Sequence, residues 1–261
     1  APAAAAAPPA ADAGAGAAGA LGPYSPAFQR AAAKLFDAHM GAENMGPLLY
    51  AVVRFAKPRS VLEIGSGYTS VWILQALADN ARELAAVRAS GAGSPVPGVP
   101  WYVPAALEGP PPKLHSVDNL EHGHTTAHRV AEVAEELGVA GHLELHVADA
   151  FEIFAGGGAA GRLAALRWDL LWFDGISACA EWPAFFREAW GRLSDRGLAL
   201  VHSSLTNATT RAWLSSVAED AAAEGPWVSF EVAPAGEPAG GLGALAARVR
   251  EALPGHTWRH E

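Results

Sequence analysis

Four acidic residues stand at or just after the ends of short apolar runs that are typical of buried β-strands. They are Glu63, Asp118, Asp149 and Asp174. In an open parallel sheet, ligands bind beyond the carboxyl ends of the strands, so these four carboxylates are expected at one edge of the sheet. One such acid alone would be a helix cap or a solvated turn, but four together indicate a binding site.

A histidine, His202, ends a further apolar run that begins at Gly197. It is the only histidine at the carboxyl end of a predicted strand, and imidazole accepts protons near neutral pH. Asp174, in the sequence Phe-Asp-Gly, would lie at the same edge. We predict that His202 acts as a general base and that Asp174 orients the acceptor or the histidine. A buried His202 bonded to backbone is the alternative, and the residues alone leave both open.

The stretch from Ser60 to Ser70 must position the first of these acids. The run Val61 to Ile64 predicts a buried parallel strand, and the glycines of Gly65-Ser66-Gly67 predict a turn. Thr69 and Ser70 are good N-cap residues for the apolar helix pattern that follows. The glycines let the backbone pass close under a ligand, and the helix N-terminus points free N–H groups at it.

This turn departs from the dinucleotide pattern Gly-x-Gly-x-x-Gly, because its third position is Ser70. The carboxylate of Glu63 also suits a cationic or neutral ligand better than a diphosphate. Glu63-x-Gly65-x-Gly67 resembles the first motif of the class I S-adenosylmethionine-dependent methyltransferases. A structural turn that binds no ligand is the plainest alternative.

The resemblance extends over roughly residues 42 to 249 and is closest to the small-molecule branch typified by catechol O-methyltransferase-like enzymes. It is supported by Val201-His202-Ser203 and by the late sequence Gly-Leu-Gly-Ala-Leu-Ala-Ala-Arg. It implies that Asp118 holds the ribose hydroxyls and that Asp149, followed by Ala150, lies beside the adenine amino group. The cofactor residues that it implies are Glu63, Gly65, Ser66, Gly67, Tyr68, Ser70, Asp118, Asn119, Asp149 and Ala150.

The remaining elements alternate between strand and helix signals. Further strands are predicted at 113–118, 142–147, 167–174 and 197–202, and the segments 227–232 and 242–249 are predicted to close the sheet as an antiparallel pair. The expected fold is α/β, with a doubly wound, mostly parallel seven-stranded sheet of the Rossmann-like methyltransferase type.

Two helices are predicted ahead of the first strand. One runs from Ser25 to about Met40, with His39 at its end. The other starts at Pro47, stops before Pro58 and turns Leu48, Val52 and Phe55 inward. We expect these helices to cover the nucleotide site.

The predicted organisation is a disordered tail over 1–22 and a single methyltransferase domain over 23–261, of which 23–57 is the helical cover. A long loop at 90–112 is rich in Gly and Pro and carries Trp101 and Tyr102 at its centre. Such a loop is either a lid that closes over substrate or a passive insertion, and the sequence leaves both open.

Composition limits the partners. The chain has 261 residues, of which 51% are hydrophobic and 17% charged, and 18 basic against 27 acidic residues give a net charge of −9. This balance favours neither nucleic acid nor an anionic membrane, and it agrees with a small-molecule acceptor. One cysteine, Cys179, excludes an intramolecular disulfide, and we predict a cytoplasmic protein. The oligomeric state, a homodimer included, is left open.

Two sequence features bear on metals. The metal-dependent branch of the resembling family carries a further Asp-Asn pair near the fifth strand, where this chain has His202-Ser203-Ser204, a poor set of ligands for a hard cation. The pattern His122-x-His124-x-x-x-His128 has some suitable ligands but is interpreted as an exposed, solvated cap. No metal is therefore expected.

The function predicted from these residues is metal-independent transfer of a methyl group from S-adenosylmethionine to oxygen or nitrogen of a small molecule. One rival is an NAD-type oxidoreductase, in which Asp118 would also contact ribose. The other is a non-catalytic, methyltransferase-like scaffold subunit. The missing third glycine counts against the first rival, and the intact Glu63, Gly65, Gly67 and Asp118 count against the second.

Overall fold

A computed structural model describes seven stretches of the chain, which are 22–40, 45–89, 109–154, 163–174, 182–202, 227–231 and 244–249. They contain seven strands, numbered in chain order as β1 (Ser60–Ile64), β2 (Lys113–Asp118), β3 (Leu143–Val147), β4 (Trp168–Phe173), β5 (Leu193–Val201), β6 (Trp227–Glu231) and β7 (Ala244–Val249). They form one sheet in the order β3-β2-β1-β4-β5-β7-β6. Strands β1 to β5 are parallel, and β7 pairs antiparallel with both β5 and β6. The predicted doubly wound, seven-stranded sheet is confirmed.

The strand order creates a crevice beside β1. The chain builds outward from β1 to β3 on one side, then returns to place β4 on the other side of β1. Ligands of such sheets bind where the order reverses, beyond the carboxyl ends of the strands. The carboxyl ends of β1, β2 and β4 are therefore the place to look for a site.

Helices cover both faces of the sheet. They are α1 (Pro26–Ala33), α2 (Met45–Ala56), α3 (Tyr68–Ala89), α4 (Val130–Glu136) and α5 (Trp182–Gly191). Successive residues of β1 alternate between two cores: Val61 packs with the apolar residues of α1 to α4, and Leu62 packs with those of α5. Both faces of the central strands are buried, which explains their nearly continuous apolar sequence.

Helix α1 is shorter than predicted. It ends at Ala33 rather than near Met40. Beyond its end, Arg129 Nη1 donates to the carbonyl of Lys34 at 2.7 Å, and Thr126 Oγ1 donates to the carbonyl of Leu35 at 3.1 Å. Because distant side chains satisfy these carbonyls, the chain can leave the helix without losing hydrogen bonds.

The predicted inward face of α2 is confirmed for Leu48 and Val52, which are half-buried against the core, and is wrong for Phe55. Leu49 and Val53 are fully buried, whereas Phe55 is 91% exposed. The cause is close packing of α2 on α3: a Cβ added at Gly46 would lie 2.5 Å from the indole nitrogen of Trp72. A small residue there fixes which face of α2 meets α3.

Other predicted boundaries shift or fall outside the described residues. Strand β5 begins at Leu193, four residues before the predicted start at Gly197. The predicted antiparallel closing pair is present as β6 and β7. Residues 1–21 and 90–108 lie outside the described residues. Among the described residues, no helix is long and apolar enough to cross a membrane.

Candidate cofactor and catalytic site

The carboxylate of Glu63 lies at the centre of a buried hydroxyl network. It accepts hydrogen bonds from Thr69 Oγ1 at 2.9 Å, Ser70 Oγ at 2.6 Å and Ser116 Oγ at 2.6 Å. The side chain is fully buried, and burial raises its pKa to about 7; the three hydroxyls oppose this shift, and the charge of Asp174 adds to it. Glu63 thus ties β1 to the first turn of α3 and to β2.

This environment differs from the predicted role of Glu63 as a cofactor contact. The carboxylate is fully buried, and all three donors described for it belong to the protein. Ser116 was not predicted as a partner, because a serine inside a strand carries no pattern that points to a site. In this structure Glu63 holds the turn in shape, and its role as a cofactor contact stays a prediction.

The glycine turn is held from two sides. Gly65 has φ +89°, a conformation that glycine adopts without strain, and its N–H donates to the carbonyl of Val117 at 2.9 Å. Gly67 N donates to Ser70 Oγ at 2.9 Å, and a Cβ added at Gly67 would lie 3.2 Å from Thr126 Oγ1. The turn is therefore packed closely beneath the loop that follows β2.

Asp118 connects this turn to the end of β2. Its Oδ2 accepts from the backbone N–H of Ser66 at 3.0 Å, and its Oδ1 accepts from that of Leu120 at 2.7 Å. The side chain is half-buried. A carboxylate has about four acceptor positions, so two remain for the hydroxyls of a ligand. The neighbouring Asn119 is exposed and hydrogen-bonded to Glu121.

The other predicted cofactor residues line the same edge less directly. Asp149 is exposed, and its Oδ1 caps the N–H of Phe151 at 2.8 Å. Ala148 N donates to the backbone carbonyl of Asp118 at 3.1 Å, which brings the ends of β2 and β3 together beside the half-buried Ala150. Tyr68, the first residue of α3, is half-buried. Its ring lies 6.3 Å from that of Phe36 and 6.0 Å from that of Trp72.

The structure brings the two predicted catalytic residues together. His202 Nδ1 lies 2.9 Å from Asp174 Oδ1, and the side chains are 8% and 18% exposed, respectively. Their backbones are fixed by the sheet, since Asp174 N donates to Ile64 O at 2.7 Å and His202 N donates to Phe173 O at 2.9 Å. The pair thus lies at the carboxyl ends of β4 and β5. The predicted lid residues Trp101 and Tyr102 lie outside the described residues.

The three histidines that follow β2 have different surroundings in the structure. His124 Nδ1 lies 3.3 Å from Asp37 Oδ2, and its ring stacks on that of His39 with centroids 4.2 Å apart. His122 accepts from the backbone N–H of His124 at 3.2 Å, and His128 is exposed. The closest partners of the His124 ring therefore come from the segment after α1.

Comparison with known proteins agrees with this architecture. A family model described as "Methyltransferase domain" matches residues 62–204. The fold is similar to that of the O-methyltransferase TomG from Streptomyces achromogenes, at 18% identity over 86% of this chain and 90% of that one, with a TM-score of 0.54. It is also similar to an O-methyltransferase from Bacillus cereus, at 15% identity over 85% of this chain and 88% of that one, with a TM-score of 0.53. No protein of curated function matches the chain.

The fold and the strand-edge site together define a class I methyltransferase of the Rossmann-like type, as the motif at Glu63 to Gly67 predicts. The family match covers more than half of the chain, so the chain belongs to the methyltransferase-domain family and is S-adenosylmethionine-dependent by class. An NAD-type oxidoreductase and a scaffold subunit are not favoured.

Proposed function

We propose that this protein transfers the methyl group of S-adenosylmethionine to a hydroxyl oxygen of a small molecule, without a catalytic metal ion. The family match supports methyl transfer. Two proteins of similar fold are described as O-methyltransferases, one in complex with S-adenosylmethionine and the other with S-adenosylhomocysteine. These likenesses favour oxygen over nitrogen as the acceptor atom.

The contact between Asp174 and His202 is the observation that carries the proposal. With Nδ1–H donated to Asp174 Oδ1, the imidazole is fixed in orientation, and Nε2 is the atom that takes the proton of an acceptor hydroxyl. The carboxylate stabilises the imidazolium that this transfer forms. Both side chains are mostly buried, so water competes weakly for the proton.

The cofactor half of the edge fits the proposed ligand. Asp118 is half-buried and keeps acceptor positions for ribose hydroxyls, while Gly65 takes the positive φ that carries the backbone through the turn. When bound, S-adenosylmethionine supplies a sulfonium-activated methyl group. The protein's remaining tasks are to align the acceptor in line with that group and to exclude water.

The metal-free mechanism is proposed on the chemistry of the acid. The carboxylate of Asp174 is in contact with an imidazole, and the chain continues from His202 with two serines rather than with an Asp-Asn pair. One carboxylate with hydroxyls is a poor set of ligands for magnesium. Proton removal by His202 replaces the acidification of the acceptor that a metal would provide.

The proposal can be tested with methyl-labelled S-adenosylmethionine and matched pairs of aromatic acceptors that differ only in bearing a hydroxyl or an amino group. We expect label on the hydroxyl members, with and without a chelator. Labelling that strictly requires added magnesium would overturn the metal-free mechanism. Labelling of the amino members alone would overturn oxygen as the acceptor.

A further inference from the structure

We propose that His115, Glu144 and His146 form a binding site for a divalent transition-metal ion, Zn²⁺ foremost, which joins β2 to β3. The site lies on the strands themselves, away from the Asp174–His202 pair. It is independent of the proposed methyl-transfer mechanism and holds no part of the cofactor.

The sheet register places the three side chains on one face. His115 of β2 pairs with Glu144 of β3, and Val117 pairs with His146. Residues two apart on a strand point to the same side, so the three side chains share a face at the β3 edge of the sheet. The strand backbones therefore position these groups before any ion binds.

The distances between the potential ligand atoms suit a tetrahedral ion. His115 Nδ1 lies 3.3 Å from His146 Nε2 and 3.4 Å from Glu144 Oε2. One ligand atom from each residue lies within 4.8 Å of the other two. Zinc bonds of about 2.0–2.1 Å to nitrogen and oxygen place neighbouring ligands roughly 3.3–3.4 Å apart in a tetrahedron. The two rings have centroids 5.6 Å apart and planes that differ by 14°, so both must rotate before their lone pairs converge on one ion.

The ligand set also matches zinc chemistry. Two imidazoles and one carboxylate bind zinc in protein sites that keep a fourth position for water. His115 is 7% exposed, and its ring meets the edge of Trp168 with centroids 5.3 Å apart. Burial lowers the pKa of His115, which favours the neutral imidazole that binds metals.

One neighbouring charge opposes cation binding. Lys113 Nζ lies 3.8 Å from Glu144 Oε1, and both side chains are substantially exposed. An exposed pair of this kind contributes little to stability, so zinc can displace the lysine from Glu144 at small cost.

A second cluster serves as the internal comparison. Asp37, His39 and His124 also bring three potential ligand atoms together. Their two imidazoles are stacked 4.2 Å apart on exposed turns, and Asp37 Oδ1 already accepts the backbone N–H of His39 at 2.9 Å. Exposed turns hold these groups less firmly than paired strands do, and one oxygen of the carboxylate is already engaged. The strand site is therefore the better zinc site.

The test uses the full chain, stripped with a chelator and then titrated with zinc chloride while the midpoint of thermal unfolding is followed. At free zinc about 100-fold above its dissociation constant, the midpoint should rise by about 5–10 °C. Cobalt substituted for zinc should give the strong visible absorption of a tetrahedral ion. His146→Ala should remove both signals, and the exposed His124→Ala is the matched control that should retain them.

Glu144→Gln, at an exposed position, provides a second variant should His146→Ala fold poorly. Glu144 is proposed as a direct ligand, so its replacement should weaken zinc binding by more than the roughly 10- to 100-fold that follows loss of a residue hydrogen-bonded to a ligand. The proposal is overturned if zinc shifts neither signal in the unaltered protein. It is equally overturned if His124→Ala abolishes the signals, or if Glu144→Gln and His146→Ala both retain them.

Discussion

Two carboxylates on neighbouring strands of the same sheet have opposite surroundings. Glu63, near the end of β1, is fully buried and accepts hydrogen bonds from three hydroxyls. Asp174, just after β4, is partly exposed and contacts one imidazole. The hydroxyl partners of Glu63 do not titrate near neutral pH and only hold the carboxylate in place. The imidazole partner of Asp174 is itself a proton acceptor. The partner, rather than the acid or its position at the sheet edge, therefore decides which carboxylate can serve in catalysis.

The largest effect is expected on turnover, when His202, the partner of Asp174, is replaced. His202→Ala should lower kcat about 10²- to 10⁴-fold, the usual contribution of a general base, with little change in affinity for S-adenosylhomocysteine. In the unaltered protein, turnover should rise with pH as the imidazole loses its proton, and this rise should vanish in the variant. Kinetics across pH, with calorimetry for the cofactor product, measure both; an unchanged kcat would exclude His202 as the base.

On the Glu63 side, the expected effect is on stability. The raised pKa of Glu63, about 7 against 4.5 when solvated, means that the folded protein binds more protons than the unfolded one between these values. The contribution of Glu63 to stability is thus fully present below about pH 4.5 and is lost as pH rises toward 7, by up to about 3 kcal/mol. Glu63→Gln should abolish that slope.

Denaturant unfolding at several pH values measures the slope, and Glu136→Gln is the matched control. Glu136 pairs with Lys34 at the surface, so its replacement should change stability by no more than about 1 kcal/mol. Affinity for S-adenosylhomocysteine should stay within about tenfold in Glu63→Gln. A hundredfold loss of affinity with an unchanged slope would instead return Glu63 to direct cofactor contact.

A third carboxylate, Asp118, is intermediate between these two in burial. It accepts hydrogen bonds from two backbone N–H groups and is half-exposed. Asp118→Ala should weaken binding of S-adenosylhomocysteine by about ten- to a hundredfold, the worth of a charge-assisted hydrogen bond at roughly 1.5–3 kcal/mol. Calorimetry of the variant is the measurement. Full affinity would remove Asp118 from the cofactor site.

The smallest effect is expected at Asp149, which is exposed and caps a single N–H group. Asp149→Ala should reduce affinity for S-adenosylhomocysteine by less than about tenfold, since a solvent-exposed contact contributes little. The same calorimetry compares it with Asp118→Ala. A larger loss of affinity at Asp149 than at Asp118 would show that the exposure of a carboxylate does not predict its contribution to cofactor binding.

The sheet edge was predictable because its signals are local. Apolar runs in the sequence predicted the bounds of β1 and β2 to within one residue. The rule that parallel strands end at one edge predicted that Asp174 and His202 lie close together. The roles predicted for these two residues stay predictions.

The features that the sequence did not predict depend on distant partners. The end of α1 is set by Thr126 and Arg129, and the surroundings of Glu63 include Ser116, 53 positions away. The proximity of His115 to Glu144 depends on the register between two strands, which no short motif encodes. Periodicity also gave the wrong orientation for Phe55 of α2, because the packing of Gly46 against Trp72 determines which face of the helix is buried most deeply.

The bonds at the end of α1 have a consequence for the order in which the chain acquires its structure during synthesis. The side chains that donate to the carbonyls of Lys34 and Leu35 follow 95 and 91 positions later in the chain, respectively. At translation rates of about 5–20 residues per second, several seconds pass before Thr126 and Arg129 are made. Until they emerge from the ribosome, the segment after the first helix lacks its docking partners, so the N-terminal helices should remain open to proteases and chaperones on the nascent chain.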